Sequence, residues 1–239
     1  DWVVSFDLNS LYPNIIVQWN MSPETLLTTP ADHLPSGVEH YLSAFDGGDP
    51  IHPAQRERNN AVASNGSIYS KKIDGVIPNI IIDYYDERRS VKKQMLSAEQ
   101  AYQKEKTFEL EKEINTLHNQ QMAIKILMNS LYGAMGNRYF KYYDLRIAEG
   151  VTLTGQMVIQ WAEKAINKEM NKLLKTEEDY VLAIDTDSVY INMSALVQQL
   201  NPKDPVKFLD KICREHFEPK LADAYDDLFK KMNCYKPRM

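Results

Sequence analysis

The chain has 239 residues, 44% of them hydrophobic and 26% charged, and a formal net charge of −5. That length and apolar content suit one large domain or two small ones with a substantial core, while the acidic balance excludes a protein that grips nucleic acid through a uniformly basic surface. No apolar run approaches the roughly 20 residues of a membrane span and no signal-like pattern opens the chain; Cys213 and Cys234 have neither a CxxC partner nor a histidine cluster, so neither a disulfide framework nor a zinc site is supported. A soluble cytoplasmic protein with no membrane partner is expected. Asp1 leads directly into the apolar stretch Trp2 to Phe6, as expected of a piece of a longer reading frame.

In chain order, Trp2 to Leu8 alternates and is β-prone, which predicts a strand with Asp7 at its end. Tyr12-Pro13-Asn14-Ile15-Ile16-Val17 predicts a turn and a short helix. From Thr28 to Asn65 the composition shifts to Pro, Gly, Asp, His and Asn, as in Asp46-Gly47-Gly48-Asp49, and predicts a long irregular connection. Ser64-Asn65-Gly66-Ser67 and Asp74-Gly75 bracket a short strand at Ile68-Tyr69-Ser70. Helical periodicity then runs from Asn79 to Lys106, with Pro78 at its start, and resumes from Phe108 to Met135 after a break near Thr107. Two antiparallel helices of about 25 residues would each be ~37 Å long, either as an arm projecting from a compact body or as an ordinary surface hairpin.

Gly133 and Gly136 end the second helix near Asn137. Tyr139 to Asp144 reads as aromatic and extended, and Thr152 to Leu174 as a helix with Ile159, Trp161, Ala165 and Ile166 on its apolar side. Tyr180 to Ile184 and Ser188 to Ile191 bracket Asp185-Thr186-Asp187 as a β-hairpin. Val206 to Met232 is predicted largely helical, interrupted at Pro219.

Aspartates in a turn often do no more than cap the local backbone. Here two apolar β runs hold the triplet at their tip, and carboxylates so placed repel one another unless a cation is present. Asp7, from a neighbouring strand, would complete a set for two divalent metals, which phosphoryl-transfer sites hold about 3.5–4 Å apart. Basic residues concentrate where an anion would need them. Arg88 and Lys92, four apart, share one face of the first long helix, and Lys125, alone among Met122, Ala123, Ile124, Ile126 and Leu127, faces them from the second. Arg89 and Lys93 read as a solvated face. Taken alone, Tyr12 and Tyr132 would be core aromatics.

Three segments carry a resemblance. Asp7-Leu8-Asn9-Ser10-Leu11-Tyr12-Pro13-Asn14-Ile15-Ile16 is similar to motif A of family B DNA polymerases, Lys125-Ile126-Leu127-Met128-Asn129-Ser130-Leu131-Tyr132-Gly133 to motif B, and Asp185-Thr186-Asp187-Ser188 to motif C, in wording nearest to the replicative polymerases of tailed bacteriophages. The resemblance covers nearly the whole chain. It implies an α+β fold: an antiparallel, ferredoxin-like palm sheet built from the Asp7 strand and the Asp185 hairpin, backed by the 152–174 and C-terminal helices, with the helical hairpin as fingers. Residues 1–77 would be the first part of the palm, including the 28–65 connection, 78–136 the fingers and 137–239 the second part of the palm.

The resemblance further implies that Asp7 and Asp187 hold two Mg²⁺ ions, for which Mn²⁺ could substitute. The Leu8 carbonyl would add a ligand and Asp185 would lie close by in a less direct role. Asp7, Asp185, Asp187 and Lys125 would be the catalytic set. Arg88, Lys92 and Lys125 would clamp the triphosphate of a dNTP, with Asn129 nearby, the N–H groups of Ser10 and Leu11 offered to it, and Thr186 at its border. Tyr12 would exclude a 2′-hydroxyl, Tyr132 would lie under the nascent base pair and Gly133 would leave room for the template base. The implied reaction is nucleotidyl transfer from a dNTP to a primer 3′-hydroxyl on a DNA template, by a DNA-directed DNA polymerase in the cytoplasm, or the host cytoplasm if phage-encoded.

Three departures qualify the resemblance. Ala183-Ile184 stands where the family often has Tyr-Gly, no Asp-x-Glu of a proofreading exonuclease occurs, and no Lys-x-Tyr follows motif C, since Lys141-Tyr142-Tyr143 comes too early. Exonuclease, N-terminal and thumb segments, and a sliding clamp reached through them, would then be partners beyond this chain. Two rivals stay open: a nucleotide- or nucleic-acid-binding fragment without turnover, and a ferredoxin-like RNA-binding domain that would show sheet-face aromatics in place of carboxylates.

Overall fold

The computed structural model describes residues 2–27, 37–49 and 51–236. Strand β1 (Val3–Asp7) alternates so that Val4 and Phe6 face inward while Val3, Ser5 and Asp7 face out. It pairs antiparallel with β6 (Ser188–Asn192), with Asp7 opposite Ser188, and β6 pairs antiparallel with β5 (Val181–Asp185). The resulting sheet has the order β1-β6-β5, so strands from opposite ends of the chain lie side by side. A register irregularity between Val181 and Ala183 interrupts alternation in β5 and leaves Leu182 exposed.

Behind the sheet, the long helix α6 (Leu145–Leu174) and the C-terminal helices α8 (Pro205–Ile212) and α9 (Glu218–Lys231) close the core. Val189 and Ile191 join Val158, Ala162, Ile166, Phe217 and Leu221 in one apolar cluster. The helix α1 (Leu11–Gln18) follows β1, and its continuation places Trp19, fully buried, against Phe229 of α9 while its indole N–H donates to the Val62 carbonyl. The short helix α7 (Ser194–Leu200) follows β6 and buries Leu196 and Val197.

Helices α4 (Val76–Lys104) and α5 (Phe108–Met135) reverse over three residues and pack on each other. At 1.5 Å per residue each is roughly 43 Å long. Their shared seam is thin: Val91, Leu117 and Ile124, flanked by Tyr84 and Met95. The base is better held. Ile77, Ile81 and Met135 reach the main core, and the N-terminal N–H groups of α4 find acceptors in Glu24 (Val76 N to Oε1, 2.5 Å) and Ser22 (Ile77 N to Oγ, 3.3 Å).

The structure corrects the sequence reading in four places. Between residues 28 and 65, of which 28–36 and 50 lie outside the described residues, the chain holds α2 (Val38–Gly47), α3 (Pro53–Glu57) and β3 (Ala61–Val62), in place of an irregular connection. Val38, Tyr41, Leu42 and Phe45 recur at helical spacing and bury one face of α2 on α6, where Phe45 meets Trp161 edge to face at 5.2 Å. Second, β3 and β2 (Leu26–Leu27) flank β4 (Ile68–Tyr69) in an unforeseen second small antiparallel sheet. Third, Tyr139–Asp144 is a series of turns, and α6 starts at Leu145, seven residues before the predicted Thr152, because Asp144 caps it by accepting from the Arg146 N–H at 3.0 Å. Fourth, the C-terminal helix is interrupted before Pro219: Cys213–Phe217 forms a π-helical turn, and Pro219, which has no N–H to donate, sits at the start of α9.

Candidate active site

Two backbone features expose the acidic side chains. Strand β1 ends at Asp7 on the open face of the sheet, and the β5–β6 loop consists of Thr186 and Asp187 alone. Thr186 has φ +53° with Asp187 on the ordinary side, the sign pattern of a type II′ turn, in which the first loop position favours glycine. A β-branched residue held there is strained. The Leu8 N–H donates to the Asp187 carbonyl at 2.8 Å, tying the turn to the end of β1, and the Thr186 hydroxyl donates to Asp185 Oδ1 at 3.2 Å. Ser10 is likewise left-handed (φ +57°) where the chain turns into α1, and its side chain makes no cap, so the first N–H groups of that helix keep their anion-binding capacity.

These elements meet in one cavity of about 440 Å³. Asp7, Asn9, Ser10, Leu11, Tyr12 and Pro13 line one side, Lys125, Asn129 and Tyr132 of α5 another, and Thr186 and Asp187 the hairpin tip. The Tyr12 and Tyr132 rings pack at 4.7 Å between centroids, and the Tyr132 hydroxyl shares a 2.6 Å hydrogen bond with Thr152 of α6. Asp187 has its carboxyl pKa raised, first by burial and then by the negative charges of Asp7 and Asp185. The Tyr12 hydroxyl is raised too, by burial, by Tyr132 and by Asp187.

The remaining predicted residues lie elsewhere. Leu8, Asp185 and Gly133 are adjacent in sequence to lining residues and are not themselves in the cavity wall; among the described residues, a Cβ on Gly133 would meet nothing within 4 Å. Arg88 has its Nε buried without a hydrogen-bond partner among the described residues, and Lys92 lines a separate surface hollow with Arg89 and Lys93. The setting of Lys125 also differs from the apolar shell its neighbours suggest: Met122, Ile126 and Leu127 are exposed along with it, whereas Ile124 and Met128 are buried. Sequence reasoning missed Thr152 and Gly155 of α6, which touch the two tyrosines; no motif marks either one.

Among the described residues, no three or more His, Cys, Asp or Glu side chains converge as a ready-made metal cage. The donor chemistry nonetheless fits a hard divalent cation. Asp7 and Asp187 are carboxylates on one cavity, none of the three aspartates makes an ion pair among the described residues, and the charges of Asp7 and Asp185 add to burial in raising the Asp187 pKa, so a cation there would relieve their mutual repulsion. A larger cavity of about 600 Å³ behind β1 is walled by Val4, Phe6, Ala162, Ile166 and Leu221; Asp7 and Leu8 border it, but neither Asp187 nor Lys125 does.

The cavity sets Asp7 and Asp187 beside the N-terminus of α1 and Lys125 of α5, and comparison with known proteins gives the chain a family. Residues 1–232 match the model of DNA polymerase family B; the chain belongs to that family. It is 32% identical to the DNA-directed DNA polymerase of Escherichia phage RB69 and 31% identical to that of Enterobacteria phage T4, in each case over 97% of this chain and 30% of the relative. DNA polymerase 1 of Pyrococcus abyssi is 28% identical over 88% of this chain and 22% of its own length. The solved family B DNA polymerase from the archaeon Pyrobaculum calidifontis superposes with a TM-score of 0.52 at 25% identity, covering 90% of this chain and 22% of that one. The chain therefore spans less than a third of these relatives. Among the described residues, no helix is long and apolar enough to cross a membrane.

Proposed function

We propose that this chain is the palm and fingers of a DNA-directed DNA polymerase, with β1, β5 and β6 as the core of a ferredoxin-like palm, α4 and α5 as fingers, and domain limits near residues 77 and 136. One observation carries the reading: a single cavity joins Asp7 and Asp187 to Lys125, to the open N-terminus of α1 and to the packed Tyr12 and Tyr132 rings. Asp7 and Asp187, with the Leu8 carbonyl, would hold divalent cations, Mg²⁺ first. When bound, such cations lower the pKa of an attacking hydroxyl and stabilise charge on departing phosphates.

The chain's own residues do the rest. The first N–H groups of α1 and the Lys125 ammonium bind the dNTP triphosphate, and the partnerless Nε of Arg88 supplies a further donor, with Lys92, when the fingers close on it. The Tyr12 ring bounds the sugar and leaves no space for a 2′-hydroxyl. Tyr132 supports the base pair, and Asn129 and Thr186 border the nucleotide. Primer-template DNA is the second substrate. Its duplex would be held largely by thumb and N-terminal segments outside this chain, in line with the net charge of −5 and with the 30% of the relative that the chain spans.

Titration of the chain with a dNTP, with and without Mg²⁺, followed by primer extension, tests this. Metal-dependent binding that disappears in Asp187→Ala is expected. Equal binding with and without Mg²⁺ counts against it. The share of the relatives that the chain spans supports a second outcome, metal-dependent binding without extension by the chain alone.

A further inference from the structure

We propose that Gly155, on helix α6, is a specificity-positioning residue: the missing side chain sets how far the Tyr12 ring can withdraw from the nucleotide pocket, and so how strictly the sugar is selected. The inference rests on the nucleotide reading of the cavity given above.

Three helices meet behind the two-ring wall of the pocket. Tyr12 comes from α1, Tyr132 from α5, and both lean on α6. On α6, Thr152 and Gly155 are three residues apart and share one face. Thr152 pins Tyr132 by the 2.6 Å hydroxyl contact and anchors its own hydroxyl to the Ala148 carbonyl at 3.0 Å. Gly155 acts on Tyr12 by having no side chain. A Cβ built there would stand 2.9 Å from Tyr12 Cε1 and 3.5 Å from its Cδ1, with Ile15 Cδ1 also at 3.5 Å. Its backbone is ordinary buried helix, so the glycine is not required by φ, and helix propensity alone would favour alanine there. The close approach of the ring is what the glycine permits.

An alanine methyl at 155 would push the near edge of the Tyr12 ring away from α6. Tyr12 lines the cavity and Tyr132 already packs against it, so a ring pushed from α6 has the sugar space to move into. A shift of a few tenths of an ångström at a steric boundary changes discrimination more than it changes total affinity. A ratio of affinities also cancels any fraction of misfolded protein, which separates this role from a merely structural one.

The test compares the Kd of dATP and ATP, by calorimetry in Mg²⁺, for the unaltered chain, Gly155→Ala, Tyr12→Ala and the double variant. Gly155→Ala is expected to raise the ATP-to-dATP Kd ratio by about threefold or more. In the Tyr12→Ala background the same change should leave the ratio where it is, because there is no ring to displace. A ratio that stays or falls in Gly155→Ala, or that moves equally without the Tyr12 ring, overturns the assignment while leaving the nucleotide pocket standing. If Gly155→Ala does not fold, the double variant should fold because the clash has been removed; a double variant equally unable to fold overturns it. An unaltered chain that binds neither nucleotide, or binds both alike, removes the pocket reading and this inference with it.

Discussion

Thr186 and Ser10 occupy the left-handed region at the two places where chain turns enter the pocket, and neither is glycine. Strain of this kind, roughly 1–2 kcal/mol for a non-glycine residue, persists where the surroundings over-determine the conformation. Thr186→Gly should therefore raise the melting temperature by about 2–4 °C, through relief of φ strain offset in part by chain entropy. The same change should weaken Mg²⁺-dependent dNTP binding, because the Thr186 hydroxyl no longer restrains Asp185. Thermal melts and nucleotide titration read both effects; a variant that melts lower shows that the turn is not strained. That Asp7, Asp187, Tyr12, Lys125 and Tyr132 would meet in one cavity was legible from the sequence because their motifs are ordered along it. Thr152 and Gly155 were not, since a hydroxyl and a missing side chain acquire meaning only through what the fold sets against them.

The start of α4 was read three residues late, at Asn79 behind Pro78 where the helix begins at Val76, and that of α6 was misplaced by seven, where an aromatic stretch that favours β structure masked the cap. Asp144 is that cap. The Arg146 side chain, hydrogen-bonded to it, holds its carboxyl pKa below the ordinary value; burial opposes this, and the Arg146 and Ile147 N–H groups reinforce it. Because the folded pKa is depressed, the contribution to stability is fully present above the unfolded carboxylate value of about 3.9 and is lost as pH falls through the lower folded value. Asp144→Ala should cost about 1 kcal/mol at pH 7, and the difference from the parent should shrink as the pH is lowered below about 3.9. Melts of both proteins across pH 7 to pH 3 check this; a gap that does not narrow excludes the charge of Asp144 as its source. Helix α2 shows the opposite failure: its apolar spacing was present in the sequence, but the glycines, prolines and aspartates around it gave a stronger turn signal.

Several side chains of the one apolar cluster bridge two layers. Trp19 is one of them, since it contacts α9 through Phe229 and the second sheet through the Val62 carbonyl. Trp19→Ala should cost about 3–5 kcal/mol, a large share of the 5–15 kcal/mol typical of a whole domain. Chemical denaturation is expected to show a lowered midpoint, and loss of less than about 1 kcal/mol would show that the layers are joined elsewhere. The sheet has a further consequence. Asp7 sits on the first strand and Asp187 precedes the last, so a nascent chain has completed only half of its acid pair until translation has passed Ser188. Because closing so long a loop is slow relative to forming local helices, the divalent-ion capture proposed for this pair would be a late event of synthesis, and a messenger cut short before that codon would yield a product with most of its helices and without the proposed cation site.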